Sequence, residues 1–212
     1  MKRKEKRLSS RRRRTARRVL IAAVTLFLVN RIFLVGLLLP IQAVRRCEER
    51  ENTSRTNLVC REWAPEIYKT GLVYLTENEK VTMLSAVRLS FYGWIEVYGV
   101  PLDCTKEAPI HGGWWTLCRN EEPLRFYVFG RIDDPNIDRL NILWTIEGDG
   151  DSDMWMVSDS GEWMERNGRR YFLCSFGNVN AAAYKLPLVV GCDKEGNELA
   201  RIELEQGVVT VS

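Results

Sequence analysis

From Gly71 to Ser212 the chain is a succession of short segments rich in β-branched and aromatic residues, with no clear amphipathic helical period between them. "GLVYLT", "AVRLSFYGWIEVYG", "GGWWTLC", "LRFYVFGRI", "RLNILWTIE", "MWMVS", "RRYFLCSF", "LPLVVGC", "ELARIEL" and "GVVTVS" are separated by turn chemistry. About ten strands at hairpin spacing predict a mainly β domain over 71–212, an antiparallel sandwich or barrel-like fold. Only "ENEKVTMLSAV" also reads as the opening of a helix.

The N-terminal part has a different composition. Residues 1–18 carry eleven Lys or Arg and one acid, a net +10, whereas residues 40–212 carry nineteen basic and twenty-seven acidic side chains, a net −8. Between them, Val19 to Pro40 is apolar apart from Thr25, Asn30 and Arg31. A helix crossing the hydrocarbon needs about 20 such residues, so 19–40 predicts a transmembrane signal anchor. Arg31 is read as a tolerated charge, with a partner helix as the alternative. Lys and Arg stay on the cytoplasmic side, which puts the basic tail inside and everything after Pro40 outside. The tail then faces anionic lipid, and nucleic-acid binding becomes the weaker explanation of its charge. Cleavage after Ala43 is the alternative to retention as an anchor. Residues 41–70 read as a polar juxtamembrane linker, with Asn52-Thr53-Ser54 in the form of a glycosylation acceptor and a single helical turn after Pro65.

All six cysteines, Cys47, Cys60, Cys104, Cys118, Cys174 and Cys192, follow the apolar segment. An even number in an extracytoplasmic domain predicts disulfides. Hairpins drawn through "PLDC…WTLC" and "LCSF…LVVGC" favour the sequential pairing 47–60, 104–118 and 174–192, and six buried reduced thiols are the alternative. "CDKEGNEL" supplies Gly196 and Asn197 for a turn with positive φ.

No arrangement in the sequence demands catalysis. Asp149, Asp151 and Asp153 in "EGDGDSDMW" imitate the first positions of a calcium loop, but Met154 stands where the turn glycine belongs and Ser160 where the bidentate acid belongs. A solvated hairpin loop is the reading, and weak calcium binding the alternative. Asp133, Asp134 and Asp138 surround Pro135 and read as turn formers rather than as a carboxylate pair across a cleft. His111, the only histidine, sits in "PIHGGWW" and reads as an exposed turn residue. Seven tryptophans are the least ordinary feature. Trp94 and Trp144 read as core. Adjacent Trp114 and Trp115 must point to opposite faces of a strand, which leaves one of them for solvent. Together with Trp155 and Trp163 it is a candidate surface for sugars or for a protein partner.

"FGRIDDPNIDRLNI", "GRRYFLCSF" and "LVVGCDKEGNELARI", within Phe126 to Leu204, resemble small membrane-anchored extracytoplasmic β proteins of spore-forming Gram-positive bacteria. These share a Gly-x-Ile/Val-x-Asp-Pro turn and a closing hairpin around Asp-x-x-Gly. The resemblance implies a topology and no activity. The expectation is a non-enzymatic envelope interaction or assembly module on a single membrane span, without cofactor. Its partner would be the membrane together with an envelope protein or glycan. A cell-wall carbohydrate module and a carboxylate hydrolase are the alternative functions.

Overall fold

The computed structural model describes residues 2–33, 37–119, 122–145, 154–159, 163–177, 188–204 and 206–211. Helix α1 (Lys2–Phe33) and helix α2 (Pro40–Arg50) precede the strands. Four strands form a first sheet in the order β1 (Asn57–Ala64), β2 (Gly71–Glu77), β3 (Val81–Ser90) and β4 (Gly93–Asp103). A middle sheet has the order β13 (Gln206–Val211), β5 (Ile110–Arg119), β6 (Glu122–Ile132), β10 (Arg169–Gly177) and β9 (Met164–Arg166). A third sheet has the order β12 (Glu198–Glu203), β11 (Leu188–Cys192), β7 (Arg139–Thr145) and β8 (Met154–Asp159). The protein is mainly β and its strand pairs are antiparallel, except that β13 runs parallel to β5, with Gln206 opposite Trp114 and Val211 opposite Arg119.

The middle sheet is covered on both faces. Along β6, Phe126 and Val128 pack against Ile137, Leu140, Ile142 and Val189 of the third-sheet side. Tyr127 and Phe129 point the other way, onto Val73, Leu75, Leu84 and Ala86 of the first sheet. The period-2 alternation of strand side chains therefore fills two separate cores. A third, smaller core lies outside the first sheet, where Ala43 and Val44 of α2 close over Tyr74 and Val87. Glu48 fixes that helix: its carboxylate accepts hydrogen bonds from Arg45, from the Thr56 hydroxyl and from the Thr56 amide at 3.1 Å.

The segment expected to be a linker is thus part of the domain. Residues 40–64 supply α2 and the edge strand β1, and the turn from Pro65 closes with Lys69 N donating to Pro65 O at 2.8 Å. The stretch "ENEKVTMLSAV" contributes β3 rather than a helix. The expected membrane span over 19–40 is not supported: among the described residues no helix is long and apolar enough to cross a membrane. Leu37 is docked on the domain, where it exchanges two backbone hydrogen bonds with Trp94, at 2.8 and 2.7 Å.

Neither cysteine hairpin forms, which removes the geometry behind the sequential disulfides. No disulfide joins Cys47, Cys60, Cys104, Cys174 and Cys192 to one another, and the side chain of Cys118 lies outside those described. Cys47 sits under α2 on the outer face of the first sheet, against the Tyr98 carbonyl at 3.5 Å, whereas Cys60 packs on the inner face. Cys104 ends β4 in one sheet and Cys118 lies on β5 in another. The Cys104 carbonyl is tied to Arg131, whose register partner is His111, and Cys118 is seven residues further along β5, about 23 Å at strand rise. That is far beyond disulfide reach. Cys174 faces the core between middle and third sheets, while Cys192 lies beside Asn141 in the third sheet. Burial pushes the Cys47 thiol up to about 12 and the Cys60 thiol up to about 11. Since the thiolate is the reactive form, both are expected to alkylate slowly near pH 8 in the folded chain and rapidly after denaturation. Timed labelling with mass spectrometry checks this, and rapid native labelling of Cys47 would contradict its position.

Candidate functional site

On one side of the layered domain three strand edges come together. The first sheet ends in β4, the third in β12, and the middle sheet in β5 with β13 beside it. β13 covers β5 only from Trp114 to Arg119, so Ile110–Gly113 pairs with β6 on one side and with no strand on the other, among the described residues. Alternate residues of an antiparallel strand direct their N–H and C=O away from the partner. This four-residue edge therefore has main-chain donors and acceptors that no described strand takes up.

The edge opens into a cavity of about 370 Å³ lined by Val100, Leu102, His111, Phe129, Ile202 and Glu203, with Gly112 and Gly113 between them. That volume falls at the lower end of ligand clefts. The glycines are there for close approach. A Cβ on Gly112 would stand 2.6 Å from Leu204 Cδ2 and 2.9 Å from Ile202 Cδ1, and one on Gly113 would meet the Phe129 ring at 3.3 Å. "PIHGG" is thus the start of a strand, and the expected turn does not form.

His111 is buried accordingly, 7 % exposed, where an exposed turn residue was expected. Its Nε2 lies 3.2 Å from Asp133 Oδ2, outside hydrogen-bond alignment. The same oxygen accepts from Arg131 Nη2 at 2.6 Å. Arg131 is itself buried, and it also donates to the Cys104 carbonyl at 3.1 Å and the Glu79 carbonyl at 3.3 Å. It pins the first sheet to the middle one at the end of the groove. Asp134 behaves as expected of a turn former, accepting from Asn136 N at 2.9 Å, and Asp138 N donates to Cys192 O at 2.8 Å. Asp133 does more than the sequence indicated, because it serves as the counter-ion of Arg131.

Burial, and next the charge of Arg131, hold the His111 imidazole below its ordinary value of 6.5, against the opposing pull of Asp133 and Asp103. A histidine depressed on folding stays neutral where the unfolded chain takes up a proton. Its contribution is therefore complete above about 6.5 and declines as the pH falls below that. The loss of stability between about pH 7.5 and 5.5 is expected to be smaller in His111→Gln than in the parent chain. Urea unfolding at both pH values measures it, and equal losses would remove His111 from the acid response.

As a catalytic constellation the cluster is incomplete. The Cys104 thiol is pushed up by burial, the opposite of an activated nucleophile, and its Sγ sits 3.5 Å from Thr82 Oγ1. Among the described residues no group of three or more His, Cys, Asp or Glu side chains is placed to hold a metal ion. Asp149, Asp151 and Asp153 lie outside the described residues.

The tryptophans are arranged differently from the expected surface. Trp114 and Trp115 do face opposite ways, but each enters a core, 6 % and 1 % exposed. Trp114 stacks on Phe126 at 5.9 Å on the third-sheet side, and Trp115 on Tyr127 at 5.4 Å on the first-sheet side. Trp163 is half-buried beside the third-sheet core, with Arg170 over its ring at 5.5 Å. Trp155 stands opposite Trp144 in the β7–β8 register, and neither side chain is among those described. The four do not form one exposed stacking surface. What sequence reading missed is the groove, whose only local sign was the glycine pair following a histidine. The chain matches no known family model, and comparison with curated proteins finds no significant match.

Proposed function

We propose that the chain is a non-enzymatic interaction module, held at a membrane by the apolar run from Val19 to Pro40, with the β domain on the extracytoplasmic side. Its groove takes an extended segment of a partner protein by strand addition. The observation that carries this reading is the bare edge of β5 over Ile110–Gly113 inside a walled cavity. Unpaired strand edges are templates for another strand, and main-chain pairing with pockets for alternate side chains is an established mode of peptide recognition. Leu102 and Ile202 would flank the incoming strand on its two faces, and Glu203 favours a Lys or Arg at the rim. Four residues of edge span about 13 Å, enough for a short motif.

The membrane part rests on the basic tail of +10 before the apolar run and on the exposure of Val19, Leu20, Ile21, Leu26 and Phe27 on α1, all at 49 % or more. The glycan alternative loses its best residues to the core, since a buried indole has no face to offer a sugar ring.

The groove is tested by selecting a displayed library of random short peptides against the detergent-solubilised full chain. Enriched peptides should carry a basic residue beside β-branched ones, protect the Ile110–Gly113 amides from hydrogen exchange, and bind less well to Glu203→Lys. Absence of enrichment, or protection confined to other strands, would overturn strand addition at this site.

A further inference from the structure

Outside α1, the large apolar side chains exposed to solvent among the described residues are Leu38, Leu39, Trp63, Tyr68, Leu89, Phe91, Tyr92 and Leu199. All except Leu199 lie at one end of the first sheet. Register places them there: Ala64 is opposite Gly71, Gly71 opposite Arg88, and Ser90 opposite Gly93. The β1–β2 turn bearing Tyr68 and the β3–β4 turn bearing Phe91 and Tyr92 therefore project from the same edge of the domain. Thr70 Oγ1 donates to Leu89 O at 2.8 Å and joins the two turns.

This end is built rather than incidental. The β3–β4 turn is tight: Ser90 Oγ donates to Gly93 O at 2.8 Å, and Gly93 takes a φ of 122°, open to glycine and rarely to other residues. It holds Phe91 96 % exposed and Tyr92 61 % exposed, their rings edge to face at 5.3 Å. A turn needs neither aromatic for its geometry, and turn positions ordinarily carry Gly, Asn, Asp or Ser. Cations accompany them. The Arg88 guanidinium lies 3.9 Å from the centre of the Tyr68 ring, and Lys69 has a positive φ of 63° at the neighbouring turn.

The same end receives the apolar N-terminal segment. Leu37, four positions after Phe33, pairs with Trp94, the residue after Gly93. Exposed Leu38 and Leu39 follow directly. Aromatic rings with a basic fringe, beside the exit of an apolar helix, have the composition of a membrane-interface belt.

We infer that the β1–β2 and β3–β4 turns form a membrane-contacting end, with Phe91 and Tyr92 inserted at the headgroup level of an anionic bilayer beside the anchor. The inference rests on the membrane-anchored reading. It adds an orientation: the domain lies with this end of the first sheet on the lipid.

The test uses the full chain reconstituted in vesicles of phosphatidylethanolamine and phosphatidylglycerol. A genetically encoded environment-sensitive fluorescent residue replaces Phe91, or Lys194 on the β11–β12 turn as a control. At position 91 the emission should shift to the blue, be quenched by nitroxide-labelled lipid and resist aqueous iodide, and at position 194 the pattern should reverse. With the reporter moved to Lys69, replacing Phe91 and Tyr92 by Ser should abolish the lipid quenching while the chain still floats with the vesicles. Iodide quenching at 91 in a chain that floats would overturn the contact and leave the anchor intact. A chain that does not float at all would overturn both. Protection at 91 without lipid quenching, accompanied by energy transfer between copies, would assign this end to a second copy and overturn the lipid contact.

Discussion

Trp115→Ala is expected to remove a large share of the fold's stability instead of weakening a ligand contact. The indole is 1 % exposed and stacks between Tyr98 at 6.3 Å and Tyr127 at 5.4 Å, in the core between the first and middle sheets. Truncating a buried tryptophan to alanine costs about 3–5 kcal/mol, against a total stability of about 5–15 kcal/mol for a domain. At about 2–4 °C per kcal/mol for a domain of this size, the melting temperature should fall by about 6–20 °C. Thermal unfolding followed by near-ultraviolet circular dichroism reads this directly. A variant that melts within a degree or two of the parent would mean that Trp115 is on the surface, and would restore the stacking role its sequence neighbourhood suggests.

Gly130→Ala is expected to be comparably damaging, although it adds a single methyl group. Gly130 sits in the middle of β6, opposite Gly112 on β5 and Phe172 on β10. A Cβ at this position would lie 2.0 Å from the His111 carbonyl oxygen and 2.6 Å from the Phe172 ring. The ring can move, but the carbonyl belongs to the neighbouring strand and moves only with it. Overpacking a core costs about 1–3 kcal/mol when side chains alone adjust, so a clash with backbone is expected at or above that range. Because the displaced strand carries Ile110–Gly113, peptide capture should fail along with stability. Phe172→Leu in the Gly130→Ala background separates the causes. Substantial rescue would place the strain on the ring, and no rescue would place it on the strand.

The strands were legible one at a time because alternation and turn chemistry are local. The β11–β12 hairpin follows from Gly196, with φ +90°; Asn197, expected to share the positive φ, instead donates to the Asp193 carboxylate. The sheet partners were not legible, since a strand carries no address for its neighbour. "PLDC" and "WTLC" look like two arms of a hairpin and lie in different sheets. The burial of both Trp114 and Trp115 had a sign that went unread: "FYVF" in β6 is apolar at four consecutive positions, the mark of a sheet covered on both faces. Helix α2 was hidden by its charges. Ala43, Val44 and Cys47 make an apolar stripe in "PIQAVRRCEER", with Pro40 at the first helical position, yet the surrounding Arg and Glu residues suggested a linker. The groove could not be read from any single segment, because its walls come from β4, β5, β6 and β12.

The parallel join of β13 to β5 also sets an order of events. Gln206 finds its partner at Trp114, 92 positions earlier in the chain, and contacts so distant in sequence form late because the intervening loop must close first. While a chain emerges from its N-terminal end, β5 can pair with β6 early, but its outer edge from Trp114 to Arg119 waits for the last described strand. In that interval two tryptophans flank an open strand edge, the kind of surface on which nascent chains associate with one another. Maturation of this domain therefore depends on prompt arrival of residues 206–211, and chaperone demand should be concentrated in the time before they arrive.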